Sequence, residues 1–313
     1  MMRAFLFPGQ GSQAVGMGAA LAEASRTAHD VFHEVDEALG QNLFRLMREG
    51  PEEELKLTEN AQPAIMAHSL AVFRALTKDG GVDLTKAANF VAGHSLGEYS
   101  ALCAAGSFDL ATTAKLLKLR GQAMQQAVPV GVGAMAALLG ADLALARRIA
   151  EAAAQGEVCT VANDNDPTQV VISGHKGAID RAIELAKEMG AKRAIPLPVS
   201  APFHCALMQP AAEAMRDALG YVVVKAPAVP LYANVTAQPE TDPDTIRNQL
   251  VEQVTAMVRW RESIANMSAA GVDEFVELGG KVLGGMVKRI APDSKVTSVV
   301  TIEDVEALAK EIA

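Results

Sequence analysis

Cysteine is scarce in this sequence. The 313 residues include three cysteines, Cys103, Cys159 and Cys205, and no two of them have the CxxC spacing. The odd number argues against a disulfide framework, and the missing CxxC pairs argue against a zinc knuckle. We therefore expect a soluble protein of a reducing compartment, the cytoplasm.

Long apolar runs and an excess of basic residues are also lacking. No apolar run reaches the ~18 residues that a transmembrane helix needs, and the apolar patch FLF before Pro8 is too short for a signal peptide core. The chain carries 28 lysines and arginines against 37 aspartates and glutamates, a formal net charge of -9. These features predict no membrane association and argue against general nucleic-acid binding, which needs a basic surface.

Apolar residues are plentiful, and they are arranged as strands that alternate with helices. Hydrophobic residues make up 50 % of the chain, and a chain of this length buries a sizeable core in two domains or in one domain with an insertion. The predicted strands are 3–7 and 89–92, and the predicted helices are 14–39, 62–77, 96–105 and 110–128. This alternation indicates an α/β fold whose parallel sheet is covered on both faces.

The middle of the chain has a different order of elements. Predicted strands at 131–140, 157–165, 168–175 and 191–199 are combined with predicted helices at 141–155 and 176–190. This βαββαβ order is ferredoxin-like, so we expect a small domain at residues 130–199 inserted into a large domain of residues 1–129 and 200–313. The large domain is expected to continue with strands near 222–224 and 230–234 and helices near 243–257 and 282–290.

The segment GHSLG, residues 93–97, follows an apolar strand and precedes a helix. It fits the G-x-S-x-G nucleophile elbow of α/β-hydrolases, whose tight turn exposes the serine hydroxyl at the top of the sheet. The flanking glycines leave room for neighbouring backbone, and the N–H of Leu96 faces the position of an oxyanion. Ser95 is therefore the predicted nucleophile, and we expect the large domain to be α/β-hydrolase-like.

A serine nucleophile needs a base, and the chain has six histidines. His204 is the best candidate, because it lies on a loop downstream of the nucleophile, where this type of fold supplies its base. A loop histidine without a catalytic role is the alternative. His29 and His33 have a spacing that can bind zinc, but they have no third ligand nearby, so we expect no metal site. No carboxylate has a context typical of a triad acid, and we expect an amide or a backbone carbonyl to orient the imidazole.

Arg120 lies on the apolar face of the predicted helix 110–128. At ~100° per residue, it falls between Leu116, Leu117, Ala123 and Met124. A buried guanidinium is costly unless it is paired. The partner is either a carboxylate of the protein or the carboxylate of an acidic acyl group that Arg120 binds as a bidentate clamp.

The motifs taken together resemble a known family. The segments that carry the resemblance are FPGQGSQ (7–13), GHSLGEYSAL (93–102), RG at Arg120, NDNDPTQVVISG (163–174), APFHCALM (201–208), YANVTA (232–237) and GGKVL (279–283). In this order they are similar to those of malonyl-CoA:acyl-carrier-protein transacylase and of related acyltransferase domains of fatty acid and polyketide synthases. One departure is the run ELGGKVL, which lacks a proline and one residue that the family usually has, so its loop is expected to be shorter.

The resemblance implies a role for each matching residue. Ser95 would carry the acyl ester, His204 would be its base, and Arg120 would hold the malonyl carboxylate. The backbone N–H groups of Gln10 and Leu96 would form the oxyanion hole. In a final match, the main chain of Gln253 would orient the histidine.

The reaction that the resemblance implies is a ping-pong transfer of malonyl from malonyl-CoA to the phosphopantetheine thiol of acyl carrier protein, without a cofactor. A serine thioesterase or esterase that hydrolyses an acidic acyl thioester is the main alternative. A nicotinamide enzyme, based on the GxGxxA pattern at 131–136, and a non-catalytic carrier-binding protein are weaker alternatives. The candidate basic patches for an acidic carrier are Lys281, Lys288 and Arg289, or Lys192 and Arg193.

Overall fold

The computed structural model describes residues 2–312, which contain two sheets and the helices that cover them. The strands are β1 (Met2–Phe7), β2 (Phe90–Gly93), β3 (Gly133–Leu139), β4 (Cys159–Asp166), β5 (Gln169–His175), β6 (Arg193–Pro196), β7 (Leu231–Tyr232), β8 (Pro239–Glu240), β9 (Val272–Leu278) and β10 (Lys295–Val299). The helices are α1 (Ala19–Ala24), α2 (Arg26–Leu39), α3 (Leu43–Glu49), α4 (Glu52–Lys56), α5 (Thr58–Arg74), α6 (Leu84–Ala87), α7 (Gly97–Ala104), α8 (Leu110–Gln126), α9 (Leu143–Ala154), α10 (Lys176–Glu188), α11 (Gln209–Gly220), α12 (Pro243–Gln253), α13 (Trp260–Ala269), α14 (Leu283–Ile290) and α15 (Ile302–Ile312).

The larger sheet has the strand order β10-β9-β1-β2-β7-β8. Its strands are parallel except for β8, which is antiparallel to β7. Because β1, β2 and β7 are adjacent and parallel, the loops that follow their carboxyl ends meet at one edge of the sheet. Those loops carry Gln10, Ser95 and Asn234, so the topology itself brings three distant parts of the chain together.

The smaller sheet has the order β4-β5-β3-β6, and every neighbouring pair in it is antiparallel. It is built from the consecutive elements β3-α9-β4-β5-α10-β6, so the βαββαβ order expected from the sequence is found. Alanine-rich faces of α9 and α10 pack on it and form a core with Leu138, Ile149 and Ile172, all fully buried. The chain therefore contains a parallel and a separate antiparallel sheet, as expected for a mixed α/β protein.

Two sequence-based assignments of elements were wrong, and several elements were missed. Residues 222–224 are irregular and not a strand. The helix expected at 14–39 is two helices, because the Ser25 side chain accepts a hydrogen bond from the N–H of Ala28 and starts α2 anew. Strands β9 and β10 were not predicted at all.

Strand β9 lies between β10 and β1 although its sequence contains acidic residues, which are not typical of a buried strand. Glu274 is fully buried, and its carboxylate pairs with Arg3 on β1 at 2.6 Å and with Lys295 on β10 at 3.0 Å. Glu277 is fully buried as well, and it accepts hydrogen bonds from the N–H groups of Val282 and Gly284 at the start of α14. Both carboxylates therefore have structural partners, and neither is the acid of a catalytic triad.

We predict that Gly93 and Gly220 respond very differently to replacement by alanine. A Cβ on Gly93 would lie 1.9 Å from the backbone of Gly97, whereas a Cβ on Gly220 at the end of α11 would meet nothing within 4 Å. Gly93→Ala is expected to lower the free energy of unfolding by about 3 kcal/mol, and Gly220→Ala to change it by less than about 1 kcal/mol. Urea denaturation of both variants is the measurement; equal effects would contradict the close backbone contact.

Candidate active site

Ser95 lies on a strained turn between β2 and α7. Its φ of 53° is in the left-handed region that side chains other than glycine rarely adopt. The turn also requires Gly97, since a Cβ there would lie 2.2 Å from the carbonyl oxygen of Phe7 on the neighbouring strand. The structure thus has the compact strand–turn–helix geometry that the GHSLG motif predicts, with the serine side chain facing a cavity.

Two side chains from remote segments hold the backbone of this turn. Asn234 accepts a hydrogen bond from the N–H of Ser95 at 2.8 Å and donates one to the carbonyl of Gly93 at 2.7 Å. The side-chain amide of Gln253 donates to the carbonyl of Ser95 at 2.9 Å. Both main-chain groups of Ser95 are therefore satisfied, which helps the fold to maintain an unfavourable backbone conformation.

His204 contacts the Ser95 hydroxyl. Its Nε2 lies 2.8 Å from Ser95 Oγ, and its Nδ1 lies 2.8 Å from the carbonyl oxygen of Gln253. A carbonyl only accepts, so Nδ1 carries the proton and Nε2 is free to accept one from the serine. Burial is the main cause that lowers the pKa of His204 to about 3, and the positive charge of Arg120 is the second. The imidazole is therefore neutral near pH 7, as a base must be.

Arg120 is fully buried beside the same hydroxyl. Its Nη1 donates to Gln62 Oε1 at 2.7 Å, and its Nη2 donates to Gln253 Oε1 at 2.8 Å and to Ser95 Oγ at 3.2 Å. No carboxylate in residues 2–312 lies within ion-pair distance of the guanidinium. Two neutral amides therefore hold the arginine in place and leave its charge without a direct counter-ion.

Gln10 and Leu96 line the same cavity as Ser95, His204 and Arg120. The cavity has a volume of about 410 Å³. Neither the backbone N–H of Gln10 nor that of Leu96 donates to another group within residues 2–312. The side chain of Gln10 is anchored by a hydrogen bond of 3.0 Å from the hydroxyl of Thr58.

The other histidines and the cysteines lie apart from this chemistry. His94 lines the same cavity but does not contact the Ser95 hydroxyl, since its Nε2 contacts Asn165 at 2.8 Å and its ring packs on Trp260. His29 and His33 lie on the surface of α2 beside acidic residues, and residues 2–312 contain no cluster of three or more potential metal ligands. Burial raises the pKa of the Cys205 thiol, which donates to the carbonyl of Pro202, so this cysteine is not an activated nucleophile.

Sequence reasoning missed three residues that the structure places at the site. Gln62 and Asn234 make the contacts described above. Glu98 is buried below the turn and accepts hydrogen bonds from the N–H of Asn234 at 2.9 Å and from the Gln253 amide at 3.2 Å. Glu98 lies in the motif GHSLGE and Asn234 in the motif YANVTA. A motif alone, however, does not say which other segment a polar side chain contacts.

The chain is similar to known proteins over most of its length. Residues 4–282 match the acyl transferase domain family. The malonyl CoA-acyl carrier protein transacylase of Escherichia coli strain K12 is 46 % identical over 310 residues, 99 % of each chain. That of Bacillus subtilis strain 168 is 46 % identical over 305 residues, 97 % of this chain and 95 % of the relative.

Solved structures show the same fold. The acyl-carrier-protein-S-malonyltransferase of Bartonella henselae superposes with a TM-score of 0.97 at 53 % identity and covers 100 % of this chain and 99 % of that one. A malonyl-transacylase in complex with its type II PKS acyl-carrier protein has a TM-score of 0.95 at 40 % identity. The match covers 99 % of this chain and 100 % of that one. This chain therefore belongs to the acyltransferase family of the malonyl CoA-acyl carrier protein transacylases.

Proposed function

We propose that this enzyme transfers a malonyl group from malonyl-CoA to the phosphopantetheine thiol of an acyl carrier protein, and that Ser95 carries the malonyl group in between. One observation supports the assignment above the others: Ser95 Oγ lies 2.8 Å from the imidazole of His204 and 3.2 Å from the guanidinium of Arg120. A nucleophile with its base and a fixed positive charge beside it suits an acyl donor that carries a carboxylate.

In the first half-reaction, His204 takes the proton of Ser95 as the hydroxyl oxygen attacks the thioester carbonyl of malonyl-CoA. The backbone N–H groups of Gln10 and Leu96 stabilise the oxyanion, and loss of one such donor typically costs ~10²–10³ in rate. The tetrahedral intermediate collapses, the C–S bond breaks, and the imidazolium of His204 returns its proton to the sulfur. CoA leaves as its thiol, and Ser95 holds the malonyl ester.

In the second half-reaction, the carrier thiol replaces CoA and the same steps run in reverse. His204 takes the thiol proton, the sulfur attacks the ester carbonyl, and the serine oxygen leaves with the proton that His204 returns. The carbonyl of Gln253 keeps the imidazole oriented throughout, although it stabilises the imidazolium less than a carboxylate would. The product supplies extender units for fatty acid or polyketide synthesis.

Arg120 gives the reaction its preference for malonyl. Its guanidinium is fixed before substrate arrives by Gln62 and Gln253, and neither amide neutralises it. A substrate without a carboxylate leaves this buried charge unpaired, at a cost on the order of 3 kcal/mol. The same charge binds the substrate of an acid-specific thioesterase, so only the fate of the malonyl-serine distinguishes that alternative from transfer.

We also propose the domain arrangement expected from the sequence. The order β4-β5-β3-β6 with antiparallel neighbours is the order of a ferredoxin-like sheet, which supports a small domain at 130–199 inserted into an α/β-hydrolase-like domain of 1–129 and 200–313. The three cysteines are free thiols, which supports a cytoplasmic location. No helix in residues 2–312 has the length and hydrophobicity that crossing a membrane requires.

The site of carrier docking stays a prediction. Arg289 pairs with the buried Asp166 at 2.8 Å, and Lys288 donates to the backbone carbonyls of residues 292 and 294. These two residues of the first candidate patch therefore have structural partners. Lys281, Lys192 and Arg193 are exposed and are the better candidates for an acidic carrier.

We predict a covalent malonyl adduct on Ser95. Intact-mass analysis after incubation with malonyl-CoA should show one malonyl group on the wild-type chain and none on Ser95→Ala. The adduct should persist until holo acyl carrier protein is added and should then disappear as the carrier gains the same mass. Acetyl-CoA serves as the control and should give at least about tenfold less adduct at equal concentration. Spontaneous loss of the adduct within one turnover time would favour the thioesterase instead.

We predict that His204 still acts as a base at pH values well below 7. The pKa of His204 is lowered, so the neutral imidazole is lost only when the pH falls through its folded value of about 3. The rate at which an uncharged reagent, phenylmethylsulfonyl fluoride, labels Ser95 should therefore stay constant from pH 8 down to about pH 5. Circular dichroism at each pH confirms that the chain is folded, and His204→Ala gives the background rate. A labelling rate that falls with a midpoint near pH 6.5 would contradict the lowered pKa of His204.

A further inference from the structure

The mechanism above makes no use of Glu98, although its carboxylate is fully buried next to the catalytic residues. Glu98 lies on α7, and Oε2 accepts hydrogen bonds from the backbone N–H of Asn234 and the side-chain amide of Gln253. Its other oxygen, Oε1, has no hydrogen-bond partner within residues 2–312. A buried carboxylate with an unpaired oxygen costs free energy, so the structure must compensate it.

Glu98 and Arg120 bind opposite ends of one amide. The Nε2 of Gln253 donates to Glu98, and the Oε1 of Gln253 accepts from Arg120. The negative and the positive charge are both fully buried, and Gln253 separates them. The amide dipole is aligned with this pair, since its positive end meets the carboxylate and its negative end meets the guanidinium.

Glu98 is also the charge that stabilises Arg120. Burial lowers the pKa of the guanidinium, and the interactions with Tyr99 and Glu98 raise it again. Burial raises the pKa of the Tyr99 hydroxyl well above its ordinary value, so this tyrosine is neutral. Among the groups that raise the pKa of Arg120, Glu98 is thus the one that supplies a negative charge, and it does so without contacting the guanidinium.

We propose that Glu98 is the counter-charge of Arg120 in the substrate-free enzyme, and that it takes up a proton when a malonyl carboxylate occupies the guanidinium. This inference rests on the proposed function, because it requires malonyl to bind Arg120. Glu98 is a positioning residue that acts through Gln253. The interposed amide keeps the front of the guanidinium open to substrate while the charge stays balanced.

The proton uptake follows from charge balance. With malonyl on Ser95, two carboxylates share one guanidinium in a buried site, and like charges there disfavour the ionised form of the weaker acid. Burial raises the pKa of Glu98 to about 7, against the opposing effects of Asn234, Gln253 and Arg120. A second negative charge raises this pKa further, so the proton is taken up near neutral pH.

The other titratable groups around α7 do not titrate in the same range. Burial lowers the pKa of three histidines near the site, which are therefore neutral at pH 7: His68 on α5, His94 and His204. On α7 itself, burial raises the pKa of Cys103 to about 11, and Tyr99 is neutral as described. Arg120 on α8 stays charged. Proton uptake between pH 6 and 8 is therefore assigned to Glu98.

The acyl exchange itself neither consumes nor releases a proton near pH 7. The serine O–H bond and the thioester C–S bond break, the ester C–O bond and the S–H bond of CoA form, and the malonyl carboxylate stays ionised. Any pH dependence of the exchange equilibrium between pH 6 and 8 therefore reports a protein group whose pKa differs between the free and the malonylated enzyme.

The test is the exchange equilibrium of Ser95 with malonyl-CoA and CoA, measured by intact mass from pH 6 to pH 8. If the malonyl carboxylate raises the pKa of Glu98 by about one unit, the equilibrium constant for malonylation of the wild type falls about fivefold over this range. Glu98→Gln keeps an acceptor for Asn234 and removes the titrating charge, so its constant should change by less than about 1.5-fold. Glu23→Gln, an exposed residue on α1, is the matched control and should behave like the wild type.

A second measurement needs no variant and covers the case in which Glu98→Gln does not fold. Mixing wild-type enzyme with malonyl-CoA in weakly buffered phenol red at pH 7 should show uptake of about 0.4 proton per malonylated site, and mixing with acetyl-CoA, whose acyl group has no carboxylate, should show none. Malonylation without proton uptake, or an equal pH dependence in Glu98→Gln and wild type, would overturn the counter-charge while leaving the proposed function intact. Absence of any malonyl adduct in the wild type would instead remove both.

Discussion

A buried guanidinium whose direct partners are all neutral is the constraint on which this active site depends. Arg120 lies in the protein interior, and its direct partners are the amide oxygens of Gln62 and Gln253 and the hydroxyl of Ser95. Amide oxygens fix the direction of the guanidinium while leaving its net charge in the cavity. In the reaction that we propose, selectivity comes from this arrangement, because Glu98 reaches Arg120 only through Gln253 and a substrate carboxylate can pair with the guanidinium directly.

Gln253 connects the three functional side chains. Its main-chain carbonyl orients His204, its side-chain oxygen holds Arg120, and its side-chain nitrogen contacts both the carbonyl of Ser95 and Glu98. The residue lies at the end of α12, where the last carbonyls of a helix have no partner within the helix and are free to accept. The charge that we propose to select the substrate also acts on His204, since Arg120 contributes to the low pKa of this imidazole. A carboxylate behind the histidine would raise that pKa, but it would also compete for the guanidinium.

The sequence predicted the nucleophile, its base and the buried arginine because each has a local signature. A serine between two glycines after a strand, a histidine after an Ala-Pro break and a charge on an apolar helix face are visible within a few residues. Family resemblance supplied Gln10, Leu96 and Gln253. Gln62, Glu98 and Asn234 carry no such signature, because each contacts a group that is remote in sequence. Gln62 is 58 residues from Arg120, Asn234 is 139 residues from Ser95, and Glu98 is 155 residues from Gln253.

The fold was predictable to a similar extent. The alternation of strands and helices and the βαββαβ order were visible, because β2, β3 and β5 contain no aspartate, glutamate, lysine or arginine. Strand β9 was missed because Glu274 and Glu277 make it look like a surface segment, and their burial is explained only by Arg3, Lys295 and the start of α14. Buried ion pairs between strands remote in sequence cannot be read from local hydrophobicity.

The most direct test of the central claim is Gln62→Glu, which places a carboxylate where a neutral amide now accepts from Arg120 at 2.7 Å. If the free charge of Arg120 selects the substrate, kcat/KM for malonyl-CoA should fall by at least about a hundredfold, while that for acetyl-CoA should change by less than about threefold. The ratio of the two kcat/KM values is the measurement, and a folded variant that keeps the wild-type ratio would contradict the account.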